Sequence, residues 1–287
     1  MNATRPAILL TGASGYIGSA VLRRLLAAGE RVICVSHRQA LPADCAAHPA
    51  CESITVDLTD ARSATALKDK HFDRVIHLAG LSRAHPAQMQ AINVQGTEQL
   101  LAAASVAVTH FLYVSTQDAA SDTQTVYGDS KRQAERLIEA SGVPYSIARP
   151  GLVYGDGGGA LRSVAGFARR WHLYPRPGSG QQCWQPVHVG DLADWLVQAI
   201  ALPPMGTVAL AGSRAVSQQV IFSMTLQAAG VRAWPVPLPM ALLRLMRVVL
   251  GFHPLAKEML GKLILNAGDR LLPADGRALP RGFPDEA

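Results

Sequence analysis

Tyr127 and Lys131 are four residues apart, so both side chains share one face if the segment is helical. A phenol with an ordinary pKa of about 10 is a poor acid–base catalyst at neutral pH. A nearby ammonium group lowers that pKa, which allows proton exchange with a substrate oxygen. The strand-like run 111–114 ends at Ser115 and Thr116, and a hydroxyl there could hold the reacting oxygen. This arrangement predicts proton transfer at a ketone or a secondary alcohol.

A glycine-rich segment with the spacing G-x-x-G-x-x-G joins an apolar run at 7–10 to a helical pattern at 19–28. Gly12 would permit a tight turn, Gly15 would let backbone N–H groups approach a pyrophosphate, and Gly18 would let the helix pack closely on the strand. The helix N-terminus adds a partial positive charge. We therefore predict a dinucleotide site formed by Gly12, Ser14, Gly15, Tyr16, Ile17 and Gly18.

The end of the second apolar run bears on the choice of dinucleotide. An NAD site usually has an acidic residue there, whereas this chain has Ser36, followed by His37 and Arg38. A guanidinium could pair with a 2′-phosphate, although Arg38 could equally be an exposed surface residue. The pattern favours NADP(H) and leaves NAD(H) as the alternative. Asp57 is a candidate adenine contact, or a helix cap like Asp60.

Fully apolar runs alternate with amphipathic segments in the first half of the chain. This pattern predicts an α/β fold, a doubly wound parallel sheet of the Rossmann type, with ligands beyond the carboxyl ends of the strands. We assign residues 1–150 to a dinucleotide-binding domain, to which 184–200 return, and 151–287 to a smaller substrate lobe. The predicted strands are 7–10, 31–35, 53–56, 74–78, 110–114 and 144–148, and the predicted helices include 19–28, 87–104, 131–141 and 161–171.

The composition is that of a globular protein, with 49% hydrophobic and 17% charged residues. Lys and Arg are scattered, so the net charge of +6 predicts a mildly basic cytoplasmic protein and no nucleic-acid partner. The four cysteines form no C-x-x-C pair and have no zinc-ligand spacing, which predicts reduced thiols and no metal.

One apolar segment, MALLRLMRVVL at 240–250, carries Arg244 and Arg247 and is followed by Lys257 and Lys262. Such a helix could lie on a membrane surface. We favour the alternative, a helix that closes the small lobe or packs at a subunit interface, because a buried helix has the same pattern. The apolar runs are too short for a membrane-spanning helix.

Further motifs follow in a fixed order, and with them the chain resembles the extended short-chain dehydrogenases/reductases, the group of nucleotide-sugar epimerases, dehydratases and 4-ketoreductases. The resemblance covers roughly residues 7–200. It rests on TGASGYIG (11–18), DL (57–58), HLAG (77–80), NVQGT (93–97), VST (114–116), YGDSK (127–131), ARPGLVYG (148–155) and PVHVGDLA (186–193).

The resemblance implies a role for each matching position. Thr116 would orient the substrate, Tyr127 would be the general acid/base, and Lys131 would bind the nicotinamide ribose and tune the tyrosine. Pro150 would begin a segment beside the nicotinamide carboxamide. His188 would be a packing residue and Asp191 a cap for a helix at 192–201. The family also implies a homodimer and further cofactor contacts at Asp57, Leu58, Leu78, Ala79, Gly80 and Asn93.

Three departures from the family pattern bear on the substrate. Leu152 stands where many relatives have a diphosphate-binding Asn, and the stretch 181–185 lacks their phosphate-binding Arg. Gln117 and Asp118 follow Thr116 where dehydrating relatives have Asp-Glu, which disfavours dehydration. The arginines that could substitute as phosphate contacts are Arg162, Arg169, Arg170 and Arg176.

The leading hypothesis is therefore a 4-ketoreductase or 4-epimerase for a nucleotide sugar, a small-molecule substrate. Leu152 and the apolar C-terminal part favour an alternative, a carbonyl reductase for a non-sugar hydrophobic ketone. A non-catalytic NAD(P)-binding protein is a third hypothesis, against which the intact Thr116, Tyr127 and Lys131 argue.

Overall fold

The apolar runs of the first half form strands and the amphipathic segments between them form helices. The structure is a computed structural model that describes residues 6–104, 108–122, 125–156, 158–250 and 254–284. A π-helical turn, Ala91–Gln95, joins the helix that ends at Gln90 to the helix that begins at Gly96. The elements up to residue 150 are β1 (Ala7–Thr11), α1 (Tyr16–Ala27), β2 (Val32–Ser36), α2 (Ala43–Ala46), β3 (Cys51–Thr55), α3 (Ala61–Ala64), β4 (Phe72–His77), α4 (Pro86–Gln90), α5 (Gly96–Ala104), β5 (His110–Val114), α6 (Val126–Ala140) and β6 (Tyr145–Pro150).

The second half contains shorter strands and five longer helices among its described residues. The elements are β7 (Val153–Tyr154), α7 (Ala160–Trp171), β8 (Leu173–Pro177), β9 (Cys183–Trp184), β10 (Val187–His188), α8 (Val189–Ala201), β11 (Gly206–Gly212), β12 (Val216–Ser217), α9 (Gln218–Ala228), β13 (Trp234–Leu238), α10 (Met240–Leu250), α11 (Pro254–Asn266) and β14 (Arg277–Leu279).

Eight strands form one parallel sheet in the order β14-β11-β6-β5-β4-β1-β2-β3. Leu9 pairs with Ile33 on β2 and with Val75 on β4. β1 and β5 are buried at every position, as expected of a sheet covered on both faces. The predicted doubly wound α/β fold is confirmed, and the strand order reverses between β1 and β4, where such folds bind ligands.

The chain forms two compact units, each assembled from three segments. Unit 1 contains Met1–Ala119, Tyr127–Arg149 and Leu192–Val208, and unit 2 contains Ala120–Val126, Pro150–Asp191 and Ala209–Ala287. The core of unit 1 includes Leu9, Val75, Phe111 and Tyr113. The core of unit 2 is more aromatic and includes Tyr174, Trp184 and Phe222.

Three local expectations need correction. Proline is typical of loops because it lacks the N–H of a sheet hydrogen bond, but the prolines at 175, 177, 235 and 237 lie in β8 and β13, which pair in parallel as a separate two-stranded sheet. Asp191 does not precede its helix, because α8 begins at Val189, and its carboxylate binds the backbone N–H and guanidinium of Arg281. The helical pattern at 87–104 is interrupted by the π-helical turn.

One simpler expectation agrees with the structure. Asp60 caps α3 by accepting hydrogen bonds from the N–H groups of Arg62 and Ser63. Within the described part of the chain, each helix is too short or too polar to cross a membrane.

Candidate active site

Thr116, Tyr127 and Lys131 come together within unit 1. Thr116 follows the end of β5, Tyr127 lies in the first turn of α6, and Lys131 lies one turn later on the same face. The hydroxyl of Thr116 hydrogen-bonds the phenol of Tyr127. Tyr127 and Lys131 thus share one face of α6, as their spacing predicts.

The ammonium of Lys131 is buried and faces the end of β5. Its Nζ donates a hydrogen bond to the carbonyl oxygen of Val114 over 2.9 Å and lies 4.5 Å from the ring centroid of Tyr113. Burial lowers the pKa of Lys131 to about 8, although the negative charge of Glu135 raises it. Lys131 is thus poised to change its charge near neutral pH.

The protonation state of Tyr127 differs from the sequence-based expectation. Burial is the main cause that raises the pKa of this phenol above its ordinary value, and the carboxylate of Asp118 adds to the effect. The hydrogen bond with Thr116 lowers the pKa but does not reverse the shift. The expectation that Lys131 would lower this pKa is wrong for the chain alone, because its Nζ is directed to Val114. The raised pKa keeps the phenol of Tyr127 protonated at neutral pH.

Glu135 continues the same face of α6 one turn beyond Lys131, and sequence reasoning missed it. Its side chain is 2% exposed and accepts two hydrogen bonds from Arg149, of 2.9 and 2.6 Å. This bidentate pair fixes a negative charge next to Lys131. The i, i+4 spacing of Lys131 and Glu135 is the signal that could have revealed it.

The glycine turn has the geometry expected of a phosphate-binding loop. Gly12 has φ +70°, and a Cβ there would lie 2.7 Å from the backbone nitrogen of Ala79. A Cβ on Gly18 would lie 2.0 Å from the carbonyl oxygen of Gly12, so only glycine allows α1 to approach the turn. Gly15 is the N-cap of α1 and provides no side-chain cap, and the first turn, which contains Tyr16 and Ile17, has no acidic residue. These features fit a dinucleotide pyrophosphate.

A chain of buried hydrogen bonds fixes the loop after β4 against β1. Oγ1 of Thr11 accepts from the N–H groups of Leu78 and Ala79, so its own proton is directed to Nδ1 of His77 at 2.6 Å. Nε2 of His77 then donates to Oγ1 of Thr97 at 3.0 Å. Burial lowers the pKa of His77 to about 3, so the ring is neutral. The motif residues His77 and Thr97 position the loop, a role that sequence reasoning did not assign.

Asn93 lies in the π-helical turn and is fully buried. Its side-chain amide accepts from the N–H of Leu81 and donates to the carbonyl of Leu81 and the hydroxyl of Ser130. A Cβ on Gly80 would meet Oδ1 of Asn93 at 3.1 Å and Nζ of Lys131 at 3.3 Å. Asn93 thus ties the predicted cofactor loop to α6.

The candidate ribose contacts lie at the carboxyl ends of β2 and β3. Ser36 ends β2, and the exposed side chains of His37 and Arg38 follow it. Nε2 of His37 is 3.9 Å from a carboxylate oxygen of Asp57. Hydrogen bonds from Thr59 are the main cause that lowers the pKa of Asp57, and the charges of His37 and Arg38 contribute. Asp57 forms a turn with Thr59 rather than capping α3, and Leu58 next to it is buried.

Pro150 and two of the departures from the family pattern, Leu152 and the stretch 181–185, lie in unit 2. Pro150 is buried at the end of β6, and Leu152 packs against the aromatic core of this unit. Trp184, in the stretch where relatives have Arg, is 3% exposed, and its indole N–H donates to the carbonyl of Gly268. His188 makes an edge contact with the ring of Tyr154 and accepts a hydrogen bond from the N–H of Gly190.

A cavity of about 1000 Å³ in unit 2 is lined by Tyr154, His188 and Arg281 together with Arg162 and Arg169. Arg169 also donates to the carbonyl of Ala229. The other two candidate arginines, Arg170 and Arg176, do not line this cavity, and Arg170 stacks on Trp171.

Comparison with known proteins identifies the family. The sequence model of the NAD dependent epimerase/dehydratase family matches residues 8–209, and the chain belongs to this family. A ceramide reductase of Caulobacter vibrioides is 28% identical over 216 residues, which cover 73% of this chain and 66% of the reductase. The match thus spans just under two thirds of that relative.

Two further comparisons concern nucleotide-sugar enzymes. A UDP-glucose 4-epimerase of Klebsiella pneumoniae is 35% identical over 138 residues, 44% of this chain and 94% of that protein. The crystal structure of UDP-glucuronic acid 4-epimerase from Bacillus cereus in complex with NAD superimposes with a TM-score of 0.69 at 22% identity, over 81% of this chain and 86% of that one. This likeness shows a shared fold.

Proposed function

We propose that the chain is an NAD(P)-dependent oxidoreductase that acts on a ketone or secondary alcohol. The observation that carries the proposal is the cluster of Thr116, Tyr127 and Lys131 beside the loop that Asn93 holds. The bound dinucleotide would supply or accept the hydride at the substrate carbon. Tyr127 would pass its phenolic proton to the substrate oxygen, while Thr116 would hold that oxygen in place. Since Tyr127 is protonated at neutral pH, its state favours the direction of reduction.

The proposed substrate is a nucleotide sugar, acted on at its 4-position by a 4-ketoreductase or a 4-epimerase. Support comes from the family and from the nucleotide-sugar 4-epimerases among the relatives. We expect a cytoplasmic enzyme, and a homodimer by analogy with the family.

A second candidate substrate is a hydrophobic ketone without a nucleotide. Leu152 packs against an apolar core and the stretch 181–185 contains no Arg, which argues against the two diphosphate contacts expected of the sugar enzymes. The ceramide reductase of Caulobacter vibrioides is a relative whose name indicates a lipid substrate.

Assays with added NADPH or NADH separate these functions. Oxidation of the reduced cofactor by a UDP-4-keto sugar would indicate a 4-ketoreductase, and interconversion of UDP-sugars without added cofactor would indicate an epimerase. Oxidation by a long-chain ketone alone would instead support the hydrophobic substrate. If cofactor binds but each substrate class leaves the protein inactive, the catalytic proposal is wrong.

Replacement of Tyr127 by Phe removes only the proton-transferring oxygen. We expect kcat to fall by about a hundredfold to ten-thousandfold and the dissociation constant of the cofactor to change little. Tyr145→Phe is a matched control, because Tyr145 packs against the core of unit 1. Steady-state kinetics and fluorescence titration of NADPH measure the two quantities. Normal turnover by Tyr127→Phe would exclude Tyr127 from the mechanism.

NADP(H) is the proposed cofactor, with NAD(H) as the alternative, because Ser36 leaves no acidic residue for the ribose and Arg38 lies at the same edge. Loss of a charged hydrogen bond to the 2′-phosphate is worth about 1.5–3 kcal/mol, so Arg38→Ala should weaken NADPH by about ten- to a hundredfold and NADH far less. Arg31→Ala, at the opposite end of β2, is the control. Equal losses for both cofactors in the titration would contradict the NADP assignment.

A further inference from the structure

Several apolar side chains of helix α10 are exposed to solvent, which is unusual for so apolar a helix. Within α10 Leu243 is the buried residue, while Leu245 is 60%, Val248 82% and Val249 57% exposed. The strand that precedes it, β13, leaves Trp234 75% exposed. We call this surface the β13–α10 face and define it by Trp234, Val236, Leu242, Leu245, Val248 and Val249.

Exposed apolar residues are common when they occur singly, but a run on consecutive elements marks an interaction surface. β13 ends two residues before α10 begins, so these side chains follow one another along the chain. α10 packs against α11 and so belongs to a helical hairpin. The exposure of this side shows that α10 is not buried within unit 2. The apolar face is therefore open to a binding partner.

The charge of the stretch of sequence that contains this face favours an anionic occupant. The stretch between Asp194 and Glu258 contains no acidic residue. Glu258 itself is 7% exposed, accepts a hydrogen bond from the N–H of Val126 and pairs with Lys262, so it adds little negative charge to the surface. The basic residues of the stretch are Arg214, Arg232, Arg244, Arg247 and Lys257, the last lying outside the residues whose side chains the structure describes.

A second copy of the chain is a poor fit to this face. In a two-fold symmetric dimer, the same patch of both copies forms the interface, so positive charges would gather there without an acidic residue of this stretch to pair with them. An anionic lipid surface instead attracts the arginines while the leucines and valines enter the boundary of the acyl chains. An exposed indole such as that of Trp234 is favoured at the same depth.

We propose that the β13–α10 face docks the protein on the surface of an anionic lipid bilayer. α10 would lie in the plane of the interface, with Leu245, Val248 and Val249 in the headgroup–acyl boundary and the guanidinium group of the exposed Arg244 at the phosphates. The proposal does not rest on the proposed activity, since binding to lipid needs no turnover.

Flotation of the whole protein with lipid vesicles tests the proposal. We expect binding to phosphatidylcholine vesicles that contain about one third phosphatidylglycerol, weak binding to pure phosphatidylcholine, and release by salt. The double variant Leu245→Glu/Val248→Glu should lose binding by more than about tenfold. Arg244→Gln should weaken it about fivefold, as expected for one charge near the surface.

The matched control is Leu202→Glu/Leu271→Glu, which makes the same charge change at exposed leucines outside the face, 52% and 48% exposed. This variant should still bind. Thermal melting verifies that all variants fold. In the unmodified protein, brominated lipids should quench the fluorescence of Trp234, and Trp234→Phe should abolish that part of the quenching.

Three results would overturn the proposal. One is absence of vesicle binding together with unquenched Trp234. Another is equal loss of binding in the control pair, which would indicate general charge rather than this face. The third is lipid-free self-association in sedimentation velocity that Leu245→Glu/Val248→Glu abolishes, which would make a second copy the occupant.

Discussion

Single residues of the site illustrate what sequence spacing can and cannot predict. The i, i+4 relation of Tyr127 and Lys131 placed them on one face of α6 because a helix repeats every 3.6 residues. Their protonation could not be predicted in the same way. It depends on burial, on Asp118 and on the direction of the Lys131 side chain, all of which the tertiary fold decides.

Glu135 provides a test of how Lys131 keeps its charge. Glu135→Gln removes the negative charge that raises the pKa of Lys131, so this pKa should fall below about 8. If charged Lys131 supports turnover, activity is lost as pH rises through its pKa, and the alkaline limb of the kcat profile should move to lower pH. A pH–rate profile measures the shift.

Glu139→Gln, an exposed neighbour one turn further along α6, is the control and should leave the limb in place. A merely structural role for Glu135 would lower kcat at every pH without moving the limb. The imidazole of His77 adds no limb to this pH–rate profile, because it is neutral at these pH values.

At the scale of elements, periodicity predicted six of the eight strands of the main sheet to within a few residues but missed β11 and β14, and it predicted α10 at 240–250. Sequence periodicity did not predict the strands β8 and β13. Their alternating prolines indicate loops, yet in a two-stranded sheet the missing N–H groups can all lie on the unpaired side. Periodicity also could not distinguish an exposed α10 from a buried one, since both are apolar.

The same substitution should have opposite effects in α1 and α7. Gly18→Ala forces a Cβ against the carbonyl of Gly12 and should destabilise the fold by about 1–3 kcal/mol and weaken dinucleotide binding. Gly166→Ala places its Cβ in open space within α7 and should stabilise the fold by up to about 1 kcal/mol. Urea unfolding followed by circular dichroism compares them. Equal effects would mean that the close approach at Gly12 is not required.

At the scale of the whole molecule, the alternation of strands and helices predicted the doubly wound sheet, because parallel strands need crossover helices. The hydrogen-bond chain through His77 was not predictable, since it joins residues from β1, β4 and α5 that are distant in sequence. This chain makes global stability depend on pH.

His77 has a pKa of about 3 in the fold against an ordinary value of 6.5, so the unfolded chain binds its proton first. Its contribution to stability is present above about pH 6.5 and is lost as the pH falls, by about 1.4 kcal/mol per pH unit. Unfolding free energies at several pH values should show a shallower slope for His77→Gln. The exposed His71→Gln should keep the slope of the unmodified protein, and an unchanged slope in both would contradict a neutral His77.

The interleaving of the two units along the chain has a consequence for biosynthesis. Unit 1 takes its last segment, Leu192–Val208, from beyond the whole of unit 2's second segment, Pro150–Asp191. A nascent chain that has already emerged with Thr116, Tyr127 and Lys131 therefore still lacks this segment, and unit 1 is incomplete until residue 208 has been synthesised. The candidate active-site residues thus emerge well before the unit that holds them can complete its packing.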